Sequence, residues 1–131
     1  MKIKIPLTIP YMDSSEEKAV AQALRSKWIA QGPQVALLEK AVEKYTKTSY
    51  AVATSSATTA LHLSLLLLGI NKGDEVIVPS FTFIATANVV VHAGAIPVFA
   101  DIDYGTLNIN PALIEAKITK KTRAIIPVDY V

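Results

Sequence analysis

Two patterns of apolar residues alternate along this chain. One has the three- and four-residue spacing of an amphipathic helix, and the other is the short apolar run of a buried strand. The first pattern predicts helices over residues 13–28, 33–47, 57–68, 83–93 and 111–118. The second predicts strands over residues 50–54, 75–78, 96–100 and 124–128. Because short strands alternate with helices, we predict an α/β fold with a mostly parallel sheet and flanking helices.

Two of the predicted helices carry more detailed expectations. Ser14 and Glu17 have the spacing of a capping box, which predicts the start of the first helix. The third predicted helix contains the run Leu65–Leu68 and is apolar on almost every side. We therefore expect this helix to be deeply buried.

The chain is expected to have two parts, an N-terminal helical segment over residues 1–48 and an α/β domain over residues 49–131. The sequence ends directly after the last predicted strand. Since a parallel strand needs helices on both faces of its sheet, we expect the α/β domain to be truncated.

Composition excludes several classes of function. The 131 residues are 51% hydrophobic, which argues against disorder, and the net charge of +2 gives no sign of a nucleic-acid-binding surface. There is no cysteine and there are two histidines, which excludes disulfides, thiolate metal sites, a cysteine nucleophile and a histidine-rich metal cluster. No membrane span or signal peptide is evident, so we expect a soluble cytoplasmic protein.

Residues 54–60 join a predicted strand to a predicted helix and are small or carry hydroxyl groups. Free N–H groups at a helix start favour an anion, and Ser56, Thr58 and Thr59 add hydroxyl donors. The segment fits a phosphate site, although an ordinary Ser/Thr helix cap would give the same pattern. Neither glycine-rich nucleotide motif is present.

Residues 79–88 follow the next strand, so they lie at the same carboxyl edge of a parallel sheet, where ligands of open α/β folds bind. Phe81 and Phe83 either place an apolar ring beside the phosphate site or are core aromatics. Asp101 and Asp103 are interpreted as solvated acids at a strand end rather than as a catalytic or metal-binding pair.

The two histidines have structural interpretations. His62 lies in the leucine-rich helix and is expected to be a hydrogen-bonded core residue. His92 lies near a helix end and is expected on the surface, where its charge suits the helix dipole.

In their order along the chain, these segments resemble the DegT/DnrJ/EryC1/StrS family of pyridoxal-phosphate-dependent aminotransferases, which act mainly on nucleotide-linked keto-sugars. The matching segments are residues 28–33 (WIAQGP), 55–63 (SSATTALHL), 73–83 (GDEVIVPSFTF), 85–88 (ATAN), 94–98 (GAIPV), 101–103 (DID) and 119–128. The resemblance implies the N-terminal third of such a protein, in the large domain of a fold-type I aminotransferase.

The resemblance also implies roles for individual residues. Ala57 and Thr58 are expected to hold the phosphate of pyridoxal 5'-phosphate, and Phe83 is expected to stack on its pyridine ring. The loop expected on the sugar-nucleotide side of the pocket consists of Lys27, Trp28, Ile29 and Ala30.

Family members are much longer, and their Schiff-base lysine and the aspartate that pairs with the pyridine nitrogen lie beyond residue 131. No catalytic residue is therefore assigned within this chain, which is expected to be inactive alone. The whole protein is expected to move an amino group from glutamate to a nucleotide-linked keto-sugar, as a homo-oligomer without nucleic-acid or membrane partners. The alternatives are a truncated, non-enzymatic ligand-binding or interaction module and an unrelated small α/β phosphate binder.

The family resemblance predicts a sheet that is not laid down in chain order. Strands 75–78 and 96–100 are expected on one side of strand 124–128. Strand 50–54 is expected on its other side, across a gap that later parts of the chain would fill. Because unpaired edges recruit other chains, the 131 residues alone are not expected to be a well-behaved monomer.

Overall fold

A computed structural model describes residues 9–130 of the chain. Residues 1–8, on which the expectation about a signal peptide rests, and residue 131 lie outside this range. The chain divides into two compact units, one ending at Ala53 and the other beginning at Thr54. The domain boundary expected between residues 48 and 49 stays a prediction.

The first unit contains helix α1 (Ser14–Arg25) and helix α2 (Pro33–Thr46). The capping box predicted for Ser14 and Glu17 is wrong by one residue. The Asp13 carboxylate accepts the Ser15 N–H at 2.7 Å, and the Glu16 carboxylate accepts the Asp13 N–H at 2.7 Å. An ionised cap gives a stronger hydrogen bond than a hydroxyl and also interacts favourably with the helix dipole.

The predicted strand 50–54 is not formed within the part of the chain that the structure describes. The Ala53 N–H donates to Glu39 Oε1 at 2.9 Å, and the Ala51 N–H donates to Glu43 Oε1 at 3.4 Å. Both glutamates belong to α2, where residues four apart rise by about 6 Å. Residues two apart in an extended chain are separated by about 6.6 Å. The two spacings match, so α2 supplies the acceptors that a neighbouring strand would otherwise provide.

The second unit is an α/β structure, as the sequence predicts. Its elements are α3 (Ala57–Leu67), β1 (Glu75–Pro79), α4 (Ala85–His92), β2 (Ile96–Ala100), α5 (Pro111–Ile114), a 3-10 turn (Glu115–Lys117) and β3 (Thr122–Ile125). The three strands are parallel in the order β2-β1-β3, so β1 and β2 lie on the same side of β3, as expected. The bounds predicted for the last strand, 124–128, are wrong at both ends. Beyond β3, Ile126 continues the pairing by donating its N–H to the Ile77 carbonyl at 2.9 Å.

Strand β1 is buried on both faces. The cluster on one face consists of Leu65, Ile70, Val76, Val78, Val89, Val90 and Ala95, which joins β1 to α3 and α4. The cluster on the other face consists of Ile77, Ala100 and Ile109. Successive side chains of a strand point to opposite faces, so Ile77 and its two valine neighbours hold the two halves of the core together.

Helix α3 is less buried than its composition predicts. Leu65 is 2% exposed, whereas Leu67 is 87% exposed and Leu68 is 68% exposed. Within residues 9–130, the helix that contacts α3 most extensively is α4, which covers the side that carries Leu65. No helix in this range is long and apolar enough to cross a membrane.

We predict that Leu65→Ala lowers the free energy of unfolding by about 2–5 kcal/mol, because it leaves a cavity in a packed core. The matched control is Leu67→Ala in the same helix, for which we expect a change within about 0.5 kcal/mol. Chemical denaturation followed by circular dichroism measures both. Equal losses for the two variants would contradict the position of α3.

Candidate functional site

The carboxyl ends of β1 and β2 are tied together by one serine. The Ser80 N–H donates to the Ala100 carbonyl at 2.9 Å, and the Ser80 hydroxyl donates to Asp101 Oδ1 at 2.7 Å. The hydroxyl, followed by the N–H of Ile102, holds the pKa of Asp101 below its ordinary value. Asp101 therefore fixes the segment that leaves β1 relative to the end of β2.

The second carboxylate of this segment has a separate local role. Asp103 Oδ1 accepts the N–H groups of Gly105 and Thr106, both at 3.0 Å, and so closes a turn. Each aspartate is engaged by its own neighbours, which supports the interpretation that they are not a functional pair. Among residues 9–130, no three histidine or acidic side chains are grouped to hold a metal ion.

The start of α3 combines a helix cap with unused donors. Ser56 Oγ accepts the Thr59 N–H at 3.2 Å, as an ordinary cap does. The Thr59 hydroxyl lies 3.2 Å from that of Ser55 and 3.0 Å from that of Ser56. Ala57 and Thr58 are exposed, and neither their N–H groups nor the Thr58 hydroxyl has a hydrogen-bond partner in the described chain. The cap and the anion site are therefore compatible interpretations of the same segment.

These donors fit a phosphate group. Two N–H groups and one hydroxyl lie at the positive end of an 11-residue helix, and the first turn of that helix contains no acidic residue. A phosphate dianion accepts several hydrogen bonds and is favoured by this end of the dipole. The expected roles of Ala57 and Thr58 stay predictions that this donor set supports.

The two phenylalanines after β1 differ in their surroundings. Phe81 packs on the ring of Tyr130, with centroids 5.2 Å apart. Phe81 is 47% exposed and Phe83 is 75% exposed, so the interpretation of the two rings as core aromatics is wrong. The Phe83 ring is free to contact a ligand.

The expected sugar-nucleotide loop lies in the first unit and forms a closed turn. Helix α1 ends at Arg25, before the predicted end at residue 28, because Lys27 adopts the left-handed conformation with φ 60°. The Trp28 indole N–H donates to the Gln31 carbonyl at 2.9 Å. Lys27, Ile29 and Ala30 are exposed on this turn.

One aromatic contact has no signal in the sequence. The rings of His62 on α3 and His92 on α4 meet edge to face, with centroids 6.1 Å apart. His62 is half-buried rather than a core residue, whereas His92 is exposed as predicted. Thirty positions separate the two residues, so only the packing of α3 on α4 brings them together.

Comparison with known proteins identifies the family and the fold of this chain. The model of the DegT/DnrJ/EryC1/StrS aminotransferase family matches residues 10–131. The chain belongs to this family. Membership of this family accounts for the parallel sheet with flanking helices in the second unit.

Two relatives and one set of solved structures illustrate the similarity within the DegT/DnrJ/EryC1/StrS family. The chain is 48% identical over 126 residues to a UDP-4-amino-4-deoxy-L-arabinose–oxoglutarate aminotransferase of Shewanella sediminis, covering 96% of this chain and 32% of the relative. It is 44% identical to the spore coat polysaccharide biosynthesis protein SpsC of Bacillus subtilis, with the same two coverages. It thus spans about a third of the length of these relatives.

The solved structures belong to a sugar aminotransferase of Streptococcus pneumoniae, Spr1654. Its PMP form is 43% identical and superimposes with a TM-score of 0.84 over 94% of this chain and 31% of that protein. Its PLP form gives a TM-score of 0.82 at 42% identity, over 92% of this chain and 31% of that protein. This partial coverage agrees with the prediction that the chain corresponds to the N-terminal third of a family member.

We predict that Ser80→Ala raises the pKa of Asp101 towards its ordinary value of 3.8, because the largest stabilising contact of the ionised form is lost. The stabilising effect of this hydrogen bond is present above the unfolded pKa and is lost as the pH falls through the folded pKa. A ¹³C NMR titration of the carboxyl groups measures the change.

Glu16 is the internal control for that titration. Its pKa is lowered mainly by the N–H of Asp13, in the other unit, and should not change in Ser80→Ala. An unchanged Asp101 pKa, or an equal shift at both residues, would contradict the assigned contact.

Proposed function

We propose that this chain forms part of a pyridoxal-phosphate-dependent aminotransferase that acts on a nucleotide-linked keto-sugar. The observation that carries the proposal is the start of α3, where the N–H groups of Ala57 and Thr58 and the Thr58 hydroxyl are unpaired in the described chain. Membership of the family and the PLP and PMP forms of Spr1654 support pyridoxal phosphate as the ligand of these donors.

The proposed substrates follow from the similar proteins. The name of the Shewanella relative pairs a UDP-linked amino sugar with oxoglutarate. Oxoglutarate that gains an amino group is glutamate, which supports glutamate as the amino donor in the reverse direction. The homo-oligomer and the cytoplasmic location stay predictions from the family resemblance.

We assign the residues of the second unit to holding the cofactor rather than to proton transfer. Ala57 and Thr58 bind the phosphate, and Phe83 stacks on the ring. Pyridoxal phosphate, when bound, supplies an electron sink for the carbon that gains or loses the amino group. Asp101 and Ser80 hold the edge of the sheet on which Phe83 is carried. No lysine of this chain is assigned to covalent attachment of the cofactor.

The residues of the turn at the end of α1 are assigned to the substrate. Lys27 presents a cation and Ile29 an apolar side chain, both exposed. A nucleotide sugar carries a diphosphate and an apolar base face, so this pair of side chains suits it chemically.

We predict that Ala57→Pro and Thr58→Val each weaken pyridoxal phosphate binding by about 10- to 100-fold, since each removes one hydrogen bond to a charged group. Proline is tolerated at the first helical position, where Ala57 lies, and Ser56 already has the extended conformation that proline requires of the preceding residue. The variants are made in the polypeptide that the gene encodes, and binding is measured by the cofactor's absorbance.

The controls separate phosphate binding from a change in fold. Thr58→Ser keeps the hydroxyl and should bind nearly as the parent does. Affinity for pyridoxal, which lacks the phosphate, should change by less than about threefold in each variant. A change of that size is typical of a substitution that removes no contact to the ligand. Equal losses for pyridoxal and pyridoxal phosphate would overturn the assignment of Ala57 and Thr58. Absence of transamination with any nucleotide keto-sugar would overturn the proposed reaction.

A further inference from the structure

One side of the turn between α1 and α2 is closed by contacts of the Trp28 indole. A β-carbon on Gly32 would overlap Trp28 Nε1 and Trp28 Cδ1, so the ring lies directly against the glycine backbone. The same Nε1 donates to the Gln31 carbonyl at 2.9 Å. The indole therefore occupies space that any residue larger than glycine would fill at position 32.

The other side of the turn is fixed by a serine. The Trp28 N–H donates to Ser26 Oγ at 3.1 Å, and that hydroxyl donates to the Ala23 carbonyl in α1 at 2.6 Å. Trp28 is thus attached to the end of α1 through its backbone and to the start of α2 through its ring. The contacts join two helices across a short loop.

The turn also contains backbone strain. Lys27 has φ 60°, in the left-handed region that a side chain with a β-carbon disfavours. Such strain persists only where surrounding contacts hold it in place. The bonds made by Trp28 on the C-terminal side of Lys27 are contacts of this kind.

We propose that Trp28 is a positioning residue, whose indole locks residues 26–32 in one conformation and so presents Lys27 and Ile29 preorganised to the nucleotide sugar. This inference rests on the proposed function. Trp28 is 58% exposed, so burial of its ring alone does not account for its placement. A fixed turn lowers the entropy lost when a ligand orders the two side chains.

Limited trypsin digestion of the native protein tests whether Trp28 locks residues 26–32 in one conformation, and it needs no activity assay. Trypsin cleaves after Lys27, and the rate reports the fraction of molecules in which the turn is open. Lys47 is the internal reference, because it is also exposed, has φ 59° and lies in the same unit. Trp28→Phe keeps an aromatic ring but removes the donor, and should raise the ratio of cleavage after Lys27 to cleavage after Lys47 by about 2- to 10-fold.

A double-mutant cycle identifies the ring contact. Gly32→Ala should raise the same ratio in the parent, and should have no further effect in the Trp28→Ala background, where the clash is absent. Gln31→Ala is the matched control, because the hydrogen bond uses the backbone carbonyl and not the side chain. An unchanged ratio in Trp28→Phe, or additive effects of Trp28→Ala and Gly32→Ala, would overturn the lock.

Kinetics of the polypeptide that the gene encodes test the positioning role. Trp28→Phe should raise KM for the nucleotide sugar while kcat and KM for the amino donor change less than twofold. A faster cleavage with no change in that KM, or equal changes in both KM values, would overturn the role in presenting substrate. A parent protein inactive with nucleotide sugars would overturn the proposed function and this role together, whereas the cleavage ratios would still decide the lock.

Discussion

The second unit depends on the burial of β1 from both faces. Val76, Ile77 and Val78 are each 0% exposed, and they connect the cluster under α3 and α4 to the cluster around Ile109. Burial of this many apolar atoms is the main favourable term in folding. Because β1 is the central strand, the loop that follows it is anchored at its N-terminal end. This anchor fixes the start of the segment that contains Ser80 and Phe83.

The elements that the sequence predicted well are those whose pattern is local. Strand β2 follows its predicted bounds, and α3 and α4 begin and end within about two residues of theirs, the usual uncertainty of helix ends. The carboxyl edge was also expected, since parallel strands all end at the same edge of their sheet. The Ser/Thr cap at the start of α3 was readable because helix capping is encoded by neighbouring residues, whereas the phosphate-binding roles of Ala57 and Thr58 come from the family resemblance and stay predictions.

The errors concern partners that the local pattern does not contain. An apolar run such as residues 50–54 predicts a strand, but pairing depends on a neighbour elsewhere in the chain. The wrong prediction that α3 is deeply buried has the same origin. Periodicity shows which face of a helix is apolar, but it does not show what covers a residue such as Leu67. The contacts of Ser80 with Asp101 and of His62 with His92 join residues distant in sequence. The contact of Trp28 with Gly32 is local, but its geometry depends on the conformation of Lys27.

The two glutamates of α2 have a consequence for association with other chains. They mask the N–H groups of Ala51 and Ala53, the donors along one side of that segment. Successive N–H groups of an extended chain alternate in direction, so the N–H of Val52 lies on the side away from α2. A foreign strand is thereby excluded from one edge and admitted only at the other. The helix thus determines the direction from which this segment can enter a sheet.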